Sequence, residues 1–84
     1  MTTGDHVFEQ VCRLLDKYNP ERRPLRAETD LGADLNIDSV AAMDLIMEIE
    51  DHFDVDVPIN LVADLRTVGD LVELVRHQLE DRSN

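Results

Sequence analysis

The chain has no tryptophan, a single tyrosine (Tyr18) and only two phenylalanines (Phe8 and Phe53). Any core must therefore be aliphatic, built from Leu, Val, Ile, Met and Ala. It has one cysteine, Cys12, which excludes an internal disulfide and gives no reason to expect an oxidising compartment. No apolar run approaches the ~20 residues needed to cross a bilayer. Residues 1–6 lack the apolar core of a signal peptide. These absences lead us to expect a soluble, cytoplasmic protein without membrane insertion. Eighty-four residues fit one domain spanning 1–84. A chain of this size buries only about 60–65% of its unfolded surface. That leaves little room for a deep substrate pocket and counts against a self-contained enzyme.

Basic residues are missing from the middle of the chain. Residues 30–54 hold eight acids and no base, whereas residues 1–29 hold five of each. Most of the net charge of −11 therefore sits in that middle segment. Such a surface repels nucleic acid and anionic membranes and attracts basic protein surfaces.

What is present is helical periodicity. Val7, Val11, Leu14, Leu15 and Tyr18 recur at i, i+4, i+7, i+8 and i+11, which predicts a first helix over about 5–18. Asn19-Pro20 ends it, because the residue before proline avoids the α conformation. A second helix is predicted over about 39–54, with Val40, Met43, Ile46, Met47, Glu50 and Phe53 tracing one face and Leu45 and Ile49 broadening it. Pro58 opens a short third helix over about 59–65. Val68, Leu71, Val72, Val75 and Leu79 predict a fourth over about 68–81. Thr67 and Asp70 stand as an acidic variant of the capping box at its start. The fold class is thus all-α: a four-helix bundle of three longer helices and one short one. Residues 19–38 form a long connection. Leu25, Leu31, Leu35 and Ile37 should anchor it across the bundle.

The chemistry-bearing stretch is Asp30-Leu31-Gly32-Ala33-Asp34-Leu35-Asn36-Ile37-Asp38-Ser39-Val40. It ends where the second helix begins. Either Asp38 or Ser39 can serve as the N-cap, accepting from a free backbone N–H. A serine hydroxyl exposed at a helix start is also a place where a phosphate is favoured by the N–H groups and the dipole. Asp44, Glu48 and Asp51 fall at i, i+4 and i+7, one exposed acidic stripe.

Asp38-Ser39-Val40 at a helix start, followed by Met43, Asp44, Leu45, Glu48-Ile49-Glu50-Asp51, Phe53, Val57-Pro58 and Thr67-Val68-Gly69-Asp70-Leu71, resembles the acyl carrier protein family over about residues 30–80. The resemblance implies a carrier rather than an enzyme. It implies that a phosphopantetheinyl transferase attaches 4′-phosphopantetheine to Ser39 from coenzyme A, with Asp38 and Val40 flanking the arm. It implies that Asp44, Glu48 and Asp51 dock the basic patches of acyl-transferring or synthase enzymes. Met43 and Met47, with Val40, match positions near the acyl-binding crevice; plain core packing is the other reading of all three. The expected molecule is a monomer that carries acyl chains in fatty acid, lipid or polyketide-type biosynthesis. Three departures from the family pattern point to a specialised pathway: Val40 stands where Leu is usual, Leu35-Asn36-Ile37-Asp38 lengthens the loop, and Ala41-Ala42 make the first turn small.

Rival readings have less behind them. Asp34-x-Asn36-x-Asp38 imitates the start of a calcium loop, but Ser39 replaces its glycine and Leu45 its bidentate glutamate, so no metal site is expected. His6, His52 and His77 with Ser39 or Cys12 do not form a recognisable catalytic set. An acidic helical interaction module without a prosthetic arm is the remaining alternative.

Overall fold

The computed structural model describes the backbone of residues 3–83 and the side chains of residues 6–80; Met1, Thr2 and Asn84 lie outside it. Four α-helices are formed: α1 (Thr3–Leu15), α2 (Ser39–Phe53), α3 (Ile59–Val62) and α4 (Val68–Ser83). A 3₁₀ turn, Asp16–Tyr18, extends α1. The main packing is α1 against α4, then α1 against α2, with α2 also touching α3 and α4.

The core is aliphatic. Val7, Val11 and Leu15 from α1 meet Leu45, Ile46 and Ile49 from α2 and Val68, Leu71, Val72, Leu74 and Val75 from α4. Phe8, Tyr18 and Phe53 pack only at its edge.

Capping fixes two helix boundaries, the first of them as expected. Thr67 Oγ1 accepts the Asp70 N–H at 3.1 Å, and Asp70 Oδ2 accepts the Thr67 N–H at 3.2 Å. This reciprocal box starts α4. At the end of α2, Asp54 takes the left-handed conformation (φ 57°) and its N–H bonds the Glu50 carbonyl. That is an αL C-cap with Asp in the place glycine usually takes. The third helix is shorter than its predicted 59–65 span. After Val62 the backbone continues in i→i+3 bonds, Asp64 N–H to Leu61 and Leu65 N–H to Val62, which tighten the chain out of α geometry.

The long connection is packed. Leu31, Leu35 and Ile37 are buried in the same core and Leu25 is half-buried against it. One helical turn over 31–35 ends at Asn36, whose φ is 59° and whose N–H bonds the Gly32 carbonyl at 3.0 Å. Farther along, Leu31 N–H bonds Arg66, Val68 N–H bonds Thr29 and Gly69 N–H bonds Ala27. The connection is thereby sewn to the start of α4. Gly69 is required there: a Cβ would lie 3.0 Å from the Ala27 carbonyl oxygen and 3.2 Å from its methyl.

The α2 surface corrects one expectation. Val40 is 73% exposed, Met47 63% and Met43 40%. They neither pack in the core nor share its face. The core face is Leu45, Ile46 and Ile49, flanked by Ala42 and Phe53. Apolar residues surround most of this helix, so spacing alone could not choose the buried side; contact with α1 and α4 did.

Candidate functional site around Ser39

Ser39 is the first residue of α2 and is exposed. The cap is Asp38: its Oδ1 accepts the Ala41 N–H at 2.8 Å, and its carbonyl accepts the Ala42 N–H at 2.8 Å. With capping done by its neighbour, the Ser39 hydroxyl has no hydrogen bond among the described residues. The hydroxyl therefore faces solvent at the positive end of a 15-residue helix. Steric access, freedom from internal bonding and a local field that favours a phosphate coincide at one oxygen. These residues fit a phosphodiester attachment.

Among the described residues no histidine or carboxylate is hydrogen-bonded to that hydroxyl. His52 lies near the other end of α2, thirteen residues away, or about 20 Å of helix rise, and its Nε2 is hydrogen-bonded to Gln10 Oε1 at 2.9 Å. Cys12 is half-buried on α1, where burial raises its thiol above the ordinary value and so lowers its thiolate content at neutral pH.

The expected acidic stripe divides. Asp44 and Asp51 are exposed. Glu48 is half-buried and its Oε2 pairs with Lys17. The pair fastens the end of α1 to α2, beside a long Tyr18 hydroxyl to Ala41 carbonyl contact of 3.5 Å. Glu50 has a different task again. Its Oε2 accepts the Val57 N–H at 2.8 Å and ties the end of α2 to the link before α3. At about 100° per residue, Val40, Met47, Asp44 and Asp51 fall on one quarter of α2. The outward face therefore mixes apolar and acidic side chains. Ile59, the first residue of neighbouring α3, adds a further exposed apolar group at 69%.

A cavity of about 340 Å³ opens between α2, α3 and the connection. This is the low end of the range for small-molecule sites. Ile37 and Ala42, two and three residues from Ser39, line it with Leu45, Ile46, Val62 and Leu65. Met43 and Met47, the crevice candidates, do not line it. The cavity is on the adjoining face of α2, and the small Ala42 makes space there. The Ala41-Ala42 pair was one signal in the sequence and Pro58, which announced α3, another; that α3 would wall this cavity was not legible, because a four-residue helix has no readable period to show which side faces inward.

Asp34, Asn36 and Asp38, the imitation of a calcium loop, are each used locally. Asp34 Oδ2 accepts the Asp30 N–H at 2.8 Å, Asn36 makes the left-handed turn and Asp38 caps α2. Among the described residues no cluster of three or more His, Cys, Asp or Glu could hold a metal ion, and no helix is long and apolar enough to cross a membrane.

An exposed serine opening a helix whose next turn lines a small cavity is an arrangement that suits a prosthetic-group carrier. The family model described as a phosphopantetheine attachment site matches residues 5–75, and the chain belongs to that family. The group that its members attach is 4′-phosphopantetheine. A "Probable acyl carrier protein" of Caulobacter vibrioides is 47% identical over 51 residues, covering 61% of this chain and 59% of that protein. The acyl carrier protein of Lactobacillus johnsonii is 27% identical over 78 residues, 90% of this chain and 98% of that one. Among solved structures, a candidate acyl carrier protein from Mycobacterium tuberculosis superposes with a TM-score of 0.78 at 28% identity, covering 83% of this chain and 95% of that chain.

Proposed function

We propose that this chain is an acyl carrier protein whose 4′-phosphopantetheine arm is attached at Ser39. The observation that carries the assignment is the division of labour between Asp38 and Ser39. The aspartate caps the helix and the serine hydroxyl is left exposed and unbonded. The arm, when bound, supplies a thiol that holds acyl groups as thioesters. The protein itself presents that thiol, keeps it at the edge of a small domain and provides a cavity for the acyl chain; it contributes no catalytic group. It works as a soluble cytoplasmic monomer, and its cargo is an intermediate of fatty acid, lipid or polyketide-type synthesis.

Partner enzymes, among them the phosphopantetheinyl transferase, read the outward face of α2. Asp44 and Asp51 offer charge to basic patches. Val40, Met43, Met47 and Ile59 offer an apolar centre, where unbranched methionines adapt to different surfaces. Glu48 contributes less than its position implied, since its charge is shared with Lys17. Contacts of this kind are steered by charge and weakened by salt.

Incubating the protein with coenzyme A and a phosphopantetheinyl transferase, and weighing it intact, tests the assignment. The expected result is a gain of one phosphopantetheine, lost in Ser39→Ala. No gain, or a gain that persists in Ser39→Ala, overturns it. No gain at all leaves the reading of an acidic interaction module without an arm.

A further inference from the structure

The cavity beside α2 has a polar rim that a saturated acyl chain does not need. Between Arg26 and Arg76 the chain has a single base, Arg66, and Arg66 lines this cavity. It has no ion pair among the described residues. Its backbone is fixed on both sides: the N–H donates to Asp70 Oδ2 at 3.1 Å, and the carbonyl accepts the Leu31 N–H at 2.9 Å. An isolated antiparallel bridge pairs Asp30 with Thr67, the residue after Arg66, and Asp30 lines the same cavity. Asp30 is already committed, its Oδ1 accepting the Gly32 and Ala33 N–H groups at 2.9 and 2.7 Å.

A guanidinium carries five N–H donors and no acceptor. Against a hydrocarbon guest, any donor covered by the chain loses its water and gains nothing. Against a guest oxygen it forms a charge-assisted hydrogen bond. A terminal carboxylate would gain Arg66 but would also meet Asp30 and the acidic middle segment, eight acids with no base over residues 30–54, and be repelled. We propose that this cavity selects acyl chains bearing a neutral oxygen beyond the thioester carbonyl that every cargo shares, a ketone or hydroxyl on the chain, over saturated chains and over chains ending in a carboxylate, with Arg66 as the specificity-determining residue. The inference rests on the carrier reading.

The test loads the protein, through the transferase, with octanoyl, 3-oxooctanoyl, 3-hydroxyoctanoyl or carboxylate-ended arms from the corresponding coenzyme A thioesters. Protection is the rate of hydroxylamine cleavage of each free acyl-pantetheine divided by its rate on the protein. The 3-oxo and 3-hydroxy chains should be protected about three- to tenfold more than the other two, the worth of one exposed charge-assisted hydrogen bond. In Arg66→Leu the advantage should vanish. Arg66 is exposed, and an unchanged melting temperature verifies that this variant folds. Equal protection of octanoyl by the unsubstituted protein, or an advantage that survives Arg66→Leu, overturns the proposal. Intact mass before cargo loading separates the two failures: no arm on Ser39 removes the carrier reading and this inference together, whereas a loaded arm without selectivity removes only the inference.

Discussion

Replacing Asp38 separates the cap from the charge. Asp38→Ala removes the acceptor that holds the Ala41 N–H at 2.8 Å, and N-caps of this type contribute about 1 kcal/mol, within a range of roughly 0.5–2. It also removes a negative charge from the positive end of α2, worth about 0.3–1 kcal/mol. Against both losses stands a gain, since one acid fewer relieves repulsion in a chain of net charge −11. Asp38→Asn has the same two charge effects but keeps the cap, because asparagine caps as well as aspartate. The difference between the two variants therefore isolates the hydrogen bond. Asp38→Ala should be about 1 kcal/mol less stable than Asp38→Asn, and a domain of this size should melt about 4–8 °C lower. Circular dichroism melts at low and high salt measure it. Salt should shrink the gap between Asp38→Asn and the unsubstituted protein and leave the gap between the two variants. If Asp38→Ala melts with Asp38→Asn, Asp38 does not cap α2, and the argument that frees Ser39 collapses with it. Rates of arm addition should follow: Asp38→Ala slows it by fraying the turn that presents Ser39.

Gly69→Ala should lower stability by about 1–3 kcal/mol in denaturant titration, although alanine is the better helix former by about 1 kcal/mol, because its Cβ meets the Ala27 carbonyl at 3.0 Å. Glu50→Ala should cost about 1–3 kcal/mol by leaving the N–H of buried Val57 without its acceptor, and Glu50→Gln should recover most of that loss in the same titration. Charge reversal of Asp44 and Asp51 together should weaken turnover by partner enzymes without lowering the melting temperature; unchanged kinetics at low salt would remove these acids from the docking face. Stability should fall on the alkaline side. Burial raises the Cys12 thiol and the Tyr18 phenol, and the hydrogen bond to Glu48 raises Lys17. Groups raised in the folded state stabilise it fully below their unfolded values and lose that contribution as pH climbs through the folded ones. The decline should therefore be under way by about pH 8.5, where an unfolded thiol is half ionised, and Cys12→Ala should delay its onset toward the tyrosine and lysine range.

Element boundaries and the attachment candidate were legible in the chain because they depend on neighbours a few residues apart. Asn19-Pro20 ends the 3₁₀ turn that follows α1, which itself stops at Leu15 rather than at the expected residue 18; Thr67 and Asp70 cap α4, and Ser39 follows a capping aspartate. The periods of α1 and α4 also pointed to the right faces, since each helix is apolar along one stripe and polar elsewhere. The second helix failed that test. With Val40, Met43 and Met47 on one side and Leu45, Ile46 and Ile49 on the other, two apolar stripes competed, and only docking against α1 and α4 decided which went inside. The exposed methionines, the cavity beneath Ala42 and its Arg66 rim, the Lys17–Glu48 pair and the Glu50–Val57 bond all join residues brought together by folding rather than by spacing. Local sequence thus determined where the helices start and which hydroxyl opens α2, because caps and turns are settled within a few residues. Tertiary structure alone decided what that hydroxyl stands beside, because a helix with two apolar faces is resolved only by what it packs against.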